Sequence, residues 1–264
     1  MFSNLANLIR YRGLIQSLVA RELKARYRGS VLGFIWSFIN PLLLLLIYSF
    51  VFTTIMPNET PGVQPYAVFM FCGILPWNWF QTSLSDAAGS LIAGGNLIKK
   101  VLFPAEVLPL VSVLANMVHF FLGLPILIVF LLVSRHYPDP LDLVWFPVVV
   151  LVELVFASAL ALILAALAVH FRDIRDILTN VLMLWFFATP IIYPWFQPNV
   201  QRFRWLFNLN PFTHLAVSYQ EILFFNGPLG HWKWLVALGI FSIGLFLTGY
   251  WIFDRLRDSF AEAV

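Results

Sequence analysis

Apolar residues in this chain fall into long runs separated by short polar stretches. Val31–Met56 holds 26 residues without a charge, more than the roughly 20 an α-helix needs to cross ~30 Å of hydrocarbon. Comparable runs follow, so spans are expected over 31–56, 66–86, 107–133, 143–169, 177–195 and 234–253. The breaks are informative too. Pro57–Pro65 carries three prolines and no cation, which suits an external turn, and Ser134–Pro140 suits a second external loop. Ala87–Glu106, with Gly89, Gly94, Gly95, Lys99 and Lys100, suits a return to the cytoplasm, with a short helix around Leu97–Phe103 stopped by Pro104. His170–Asp176 packs five polar or charged residues into seven and suits a cytoplasmic hinge.

Two stretches depart from the simple pattern. Over residues 4–28, at 100° per residue, Arg10, Ser17, Arg21, Lys24 and Arg28 fall within roughly 60°, while leucines and isoleucines fill much of the remaining arc. An amphipathic helix lying in the membrane interface is expected, with Gly13 as a possible interruption. Arg12 and Arg26 intrude on its apolar side, and Glu22–Arg26 is placed for an i,i+4 ion pair. Between the last two spans, Asn210–Pro211 is a good helix start and Asn226–Gly227–Pro228 a good stop. A helix of about 15 residues is ~22 Å long, too short to cross, so it is expected to be re-entrant or to lie at the outer face. The expected organisation is all-α: a cytoplasmic interfacial helix (1–30), a six-span transmembrane domain (31–255) and a cytoplasmic tail (256–264).

Composition agrees. Of 264 residues 61% are hydrophobic and 11% charged, against about 25% charged in soluble chains; a soluble surface needs more charge than that. The pI is about 9.1, but the cations stand beside apolar runs, which points to membrane topology rather than nucleic acid. Arg10, Arg12, Arg21, Lys24, Arg26, Arg28, Lys99, Lys100, Arg172, Arg175, Arg255 and Arg257 fall in the segments assigned inside; Arg135, Arg202, Arg204 and Lys233 fall outside. This bias places both termini in the cytoplasm. Cys72 is alone, so no intrachain disulfide can form. The first apolar run starts late and lacks a cleavage site, so no signal peptide is expected.

Chemistry-bearing motifs are scarce. No glycine is followed by Lys-Ser or Lys-Thr as a phosphate loop requires, no zinc-binding histidine pair occurs, and no nucleophile elbow surrounds a serine. His170 and Asp173 could serve acid–base work, or simply pair with Arg172 and Arg175. Glu153, a charge inside an apolar span, is either a polar-path residue or a hydrogen-bonded packing residue, and His119 is either a ligand or a core histidine. The aromatics Trp77, Phe80, Tyr193, Phe212 and Tyr219 suit either an interfacial belt or a path for sugar, whose apolar faces match aromatic rings. The cations around Gly29 either set topology or hold a lipid-linked pyrophosphate, for which guanidinium is a good partner.

The run Arg21-Glu22-Leu23-Lys24-Ala25-Arg26-Tyr27-Arg28-Gly29-Ser30-Val31-Leu32-Gly33-Phe34-Ile35-Trp36, followed by Asn40-Pro41-Leu42, closely resembles the opening of type-2 ABC exporter permeases, in particular the polysaccharide and polyol-phosphate branch. Asn96–Pro109, Phe171-Arg172-Asp173 and Asn210-Pro211 agree with it. The resemblance implies a non-enzymatic subunit in a bacterial cytoplasmic membrane, working as a homodimer with a separate ATPase that binds ATP and Mg; this chain would hold no cofactor. The cargo would be a lipid-linked polysaccharide such as an O-antigen, capsule or teichoic acid. By similarity, Arg26, Tyr27, Arg28, Gly29 and Gly33 would form the inner gate. Arg21, Lys24, Asn96, Lys99, Lys100 and Phe103 would couple to the ATPase, and Trp77, Phe80, Tyr193, Phe212 and Tyr219 would line the channel and its exit. Exporters of drugs or small lipids, and membrane-embedded transferases acting on polyprenyl lipids, are the competing readings.

Overall fold

The structure is a computed structural model that describes residues 11–57, 60–99, 103–171, 173–225 and 229–263, the side chains of 258 and 261–263 excepted. Among these residues the chain is all helical. Helix α1, Arg12–Arg26, turns Leu14, Ile15, Leu18 and Val19 onto Val107 and Val111. The chain leaves α1 through Gly29 (φ 80°) and Gly33 (φ 52°), both in the left-handed region where a Cβ is penalised. These two glycines swing it into α2, Trp36–Phe50, which is extended by a tight turn at Gly33–Ile35 and a wide one at Val51–Ile55.

Helix α3, Tyr66–Ala93, is the centre of the molecule and touches α2, α4 (Gly95–Ile98), α5 (Val107–Val133), α6 (Phe146–His170), α7 (Ile174–Phe187) and α10 (Pro211–Leu223). From Tyr66 to Trp77 every residue is buried. Helix α11, Trp232–Ala263, lies along α6. The two come close at Gly249, where an added Cβ would stand 2.9 Å from the Ala159 carbonyl oxygen.

Among the described residues four helices are long and apolar enough to cross a bilayer: Gly33–Ile55, Val107–Val133, Asp142–His170 and Trp232–Arg257. The other two expected spans do not meet this length-and-hydropathy measure, for different reasons. The 28 residues of α3 give about 42 Å, but its second half is polar. The 14 residues of α7 give about 21 Å, short of the ~30 Å core. The expected fifth span thus stops being helical at Phe187, because Pro190 and Pro194 cannot supply helical N–H donors.

Side-chain bonds replace the missing helix there. Asn210 accepts from Trp185 Nε1 (2.6 Å) and from the Phe212 N–H (3.0 Å), and donates to Thr189 Oγ1 (2.9 Å) and Ala188 O (3.0 Å). Gln220 donates to the carbonyls of Pro190 and Ile191. One capping asparagine and one glutamine therefore fasten α10 to the unwound end of α7. Short helices α8 (Pro198–Arg202) and α9 (Arg204–Leu209) complete the connection. The Asn226–Pro228 stop lies outside the described residues, and α10 ends at Leu223. Over the expected tail, 256–264, α11 stays helical as far as Ala263.

Candidate functional site

Although α3 is mostly enclosed, Asn78, Thr82, Ser85, Asp86, Ile92 and Ala93 remain exposed. At 100° per residue they fall within roughly 120° of one another, so α3 carries a single open, largely polar stripe. Two cavities succeed each other along it. The first, about 540 Å³, lies between the end of α1, the start of α2, α3 and α5; Arg26, Tyr27, Trp36, Asn40, Asn78 and Thr82 are on its wall, with Asn116, His119 and Phe120. The second, about 450 Å³, lies between α1, α3, α5 and Arg175 of α7.

A polar cluster separates them. Arg26 Nη2 is 2.7 Å from Asp86 Oδ2, and Arg26 Nη1 is 3.0 Å from Asn116 Oδ1. Asn116 Nδ2 donates to the same Asp86 oxygen at 2.8 Å. Arg26 and Asn116 line the first cavity and Asp86 the second. Beside this cluster Ser37 donates to the Tyr27 hydroxyl (2.6 Å), which is 3.3 Å from His119 Nδ1. His119 Nε2 is buried and has no protein partner. Amides, hydroxyls and tryptophan rings on one wall can hydrogen-bond and stack with a polar cargo that also has apolar faces.

Of the expected inner-gate residues, Arg26 and Tyr27 are on this wall. Arg28 and Gly29 are exposed beside it, and Gly33 forms the turn into α2. The Glu22–Arg26 pair does not form; Arg26 takes Asp86 instead. Of the expected coupling residues, Arg21, Lys24, Asn96 and Lys99 are exposed, and Phe103 packs partly buried between two apolar clusters. Lys100 lies outside the described residues, as do Arg10 and Arg172.

The expected exit aromatics differ in their exposure. Trp77, Phe80, Phe212 and Tyr219 are 0–1% exposed. The first three form an interlocked set with Trp185, Phe186 and Phe156, with centroid separations such as 4.8 Å for Trp77–Phe212. Ring edges meeting ring faces gain contact energy when dry, so these residues are core within the chain. Tyr193 alone of the five is half-exposed, its hydroxyl donating to Phe187 O at 2.8 Å. Glu153 is fully buried; its Oε2 accepts a 2.7 Å hydrogen bond from Tyr219, and its Oε1 has no partner among the described residues. His170 contacts Ser259 Oγ and Ala166 O, each at 3.0 Å, and among the described residues no ion pair joins Asp173 to Arg175. Among the described residues no group of three or more His, Cys, Asp or Glu is placed to hold a metal.

The sequence profile of the ABC-2 type transporter matches residues 13–224. This chain belongs to the ABC-2 type transporter family. The matched segment of the ABC-2 domain includes α1, both cavities and α10. Similarity to individual proteins extends further: the chain is 45% identical over 258 residues to the O-antigen export system permease protein RfbA of Myxococcus xanthus, covering 97% of each chain. It is 34% identical over 250 residues to RfbA of Klebsiella pneumoniae, covering 94% of each. The capsule polysaccharide export inner-membrane protein CtrC of Neisseria meningitidis is 26% identical, with 68% of this chain and 67% of the relative covered.

Reading the sequence alone misses several residues that this ABC-2 chain brings to the cavities: Asp86, Asn116, Ser37, Asn40, Asn78 and Thr82. A signal for some of them was there. Asn78, Thr82, Ser85, Asp86 and Gly89 repeat every three or four residues, which marks a polar helix face. Asn116, a lone amide in an apolar span, had no such companion pattern.

Proposed function

We propose that this ABC-2 transporter chain is the membrane-spanning permease subunit of an ATP-driven exporter that moves a lipid-linked, O-antigen-like polysaccharide outward from the cytoplasm. The observation that carries this reading is the 45% identity, over 97% of both chains, to a permease named for O-antigen export. The absence of a phosphate-loop motif from the sequence supports leaving ATP and Mg to a partner ATPase. In this reading six segments cross the bacterial inner membrane. Helix α3 does so inside the protein, where its polar stripe is sheltered from lipid, and α7 does so together with the unwound segment that follows it. Both termini are cytoplasmic, as the distribution of Lys and Arg favours.

Two copies would enclose the cargo path, an arrangement supported by the bare apolar faces of α2 (Leu43, Ile47, Phe50) and α7 (Val181, Leu184). Helix α1 would rest on membrane lipid, and Arg21, Lys24, Asn96 and Lys99 would meet the ATPase, with Lys100 and Phe103 in the segment that couples to it. Arg26 and Tyr27 stand where the cargo is admitted to the first cavity. Deleting the chain in its own bacterium should strip the polysaccharide from the surface and leave lipid-linked polysaccharide inside, with recovery on re-expression. Unchanged surface polysaccharide in the deletion strain would refute the assignment.

A further inference from the structure

The second cavity is electrostatically unlike the first. Arg21 approaches it from α1 and Arg175 from α7, and among the described residues neither guanidinium has a carboxylate within salt-bridge distance. Two acids share the wall, Glu22 and Asp86. The Asp86 charge is already answered by Arg26 at 2.7 Å and by Asn116 at 2.8 Å. That leaves two guanidiniums facing one free carboxylate, so the cavity is net positive. Ser85, Ser90 and Ser112 add hydroxyls to its wall.

The place of Arg175 is shaped by α3. Its Nη2 reaches the Gly89 carbonyl at 3.4 Å, and a Cβ on residue 89 would stand 3.1 Å from that same nitrogen. Glycine at 89 therefore lets the guanidinium lie flat against the central helix. Arginine offers paired N–H donors to tetrahedral oxyanions; the Ser90 and Ser112 hydroxyls donate to Ala87 O (2.8 Å) and Leu108 O (3.5 Å) and would turn from these carbonyls toward a bound phosphate.

We infer that this second cavity is a binding site for a phosphate group, held by Arg21 and Arg175 with Ser90 and Ser112 beside them. The inference does not depend on what the chain transports. The phosphate comes either from a lipid headgroup or from free phosphate in the cytoplasm, and the two sources separate on titration.

The test uses the purified full chain in zwitterionic detergent. Native mass spectrometry measures the retention of phosphatidic acid against phosphatidylcholine, with inorganic phosphate as competitor. Wild type is expected to retain phosphatidic acid preferentially. Arg175→Gln and Arg21→Gln should each weaken that retention about tenfold, the loss expected for one charged hydrogen-bonding partner. Gly89→Ala, which displaces the Arg175 guanidinium while keeping every charge, should weaken it as well. Arg12→Gln removes the same charge from α1 away from the cavity and should change retention by less than about twofold. Displacement by millimolar phosphate assigns the site to free phosphate as well as lipid; resistance to it assigns the site to the lipid-borne group. Equal losses in Arg12→Gln and Arg175→Gln, or no preference for phosphatidic acid in wild type, would overturn the inference.

Discussion

Arg26, the last residue of α1, lies 2.7 Å from Asp86 on α3 and so ties the outlying first helix to the centre of the molecule. Asn116 of α5 bonds both partners, making the junction a three-helix contact. In the proposed exporter, motion delivered to α1 reaches the cavity wall through this contact.

The junction adds little to stability by itself. With side chains 30% and 40% exposed, the pair contributes at most about 1 kcal/mol. Arg26→Gln and Asp86→Asn should each lower the unfolding free energy in mixed micelles by about that amount, and the double variant by little more than either single. Strictly additive losses would show that the two residues do not act together.

A different balance holds at Glu153 and Tyr219, both fully buried. Among the described residues Tyr219 is the donor to Glu153, so Tyr219→Phe leaves a carboxyl with no partner and should cost about 2–3 kcal/mol. Glu153→Leu combined with Tyr219→Phe removes both polar groups and should cost less than Tyr219→Phe alone, as thermal unfolding would read. The reverse order would mean that another group satisfies Glu153.

Backbone conformation sets the third expectation. Gly33→Ala forces a Cβ into the left-handed region and should cost about 1–2 kcal/mol. Gly13, in the first turn of α1 with open space around it, should tolerate alanine or gain up to about 1 kcal/mol. Equal effects in the two variants would contradict the described turn between α1 and α2.

Aromatic burial gives the fourth. Trp77→Ala should destabilise by about 3–5 kcal/mol, as loss of a large core side chain does. Tyr193→Phe, which loses one hydrogen bond at a half-exposed site, should cost about 1 kcal/mol. A Trp77→Ala variant as stable as wild type but unable to transport would return Trp77 to the channel wall.

How legible the molecule was in its sequence varied by element. Val107–Val133 was readable to its ends because an uninterrupted apolar run is both the cause and the sign of such a helix. The Asn210–Pro211 start was equally plain, since cap and proline act locally. Helix α7 was overextended, because apolar content continues past Phe187 while the two prolines end the hydrogen-bonding pattern. The burial of the aromatics was not legible for a related reason: periodicity places a ring on a helix but does not say whether another helix covers it. Arg26 was correctly singled out, yet its partner is 60 positions along the chain, and pairing at that distance leaves no local signature.

The most direct test of the exporter reading is reconstitution. Vesicles containing this chain and its cognate ATPase should deliver lipid-linked polysaccharide to the opposite leaflet when ATP is supplied, and vesicles with the chain alone should neither hydrolyse ATP nor deliver it. ATP hydrolysis by the chain alone, or no delivery from the complete assembly, would contradict it.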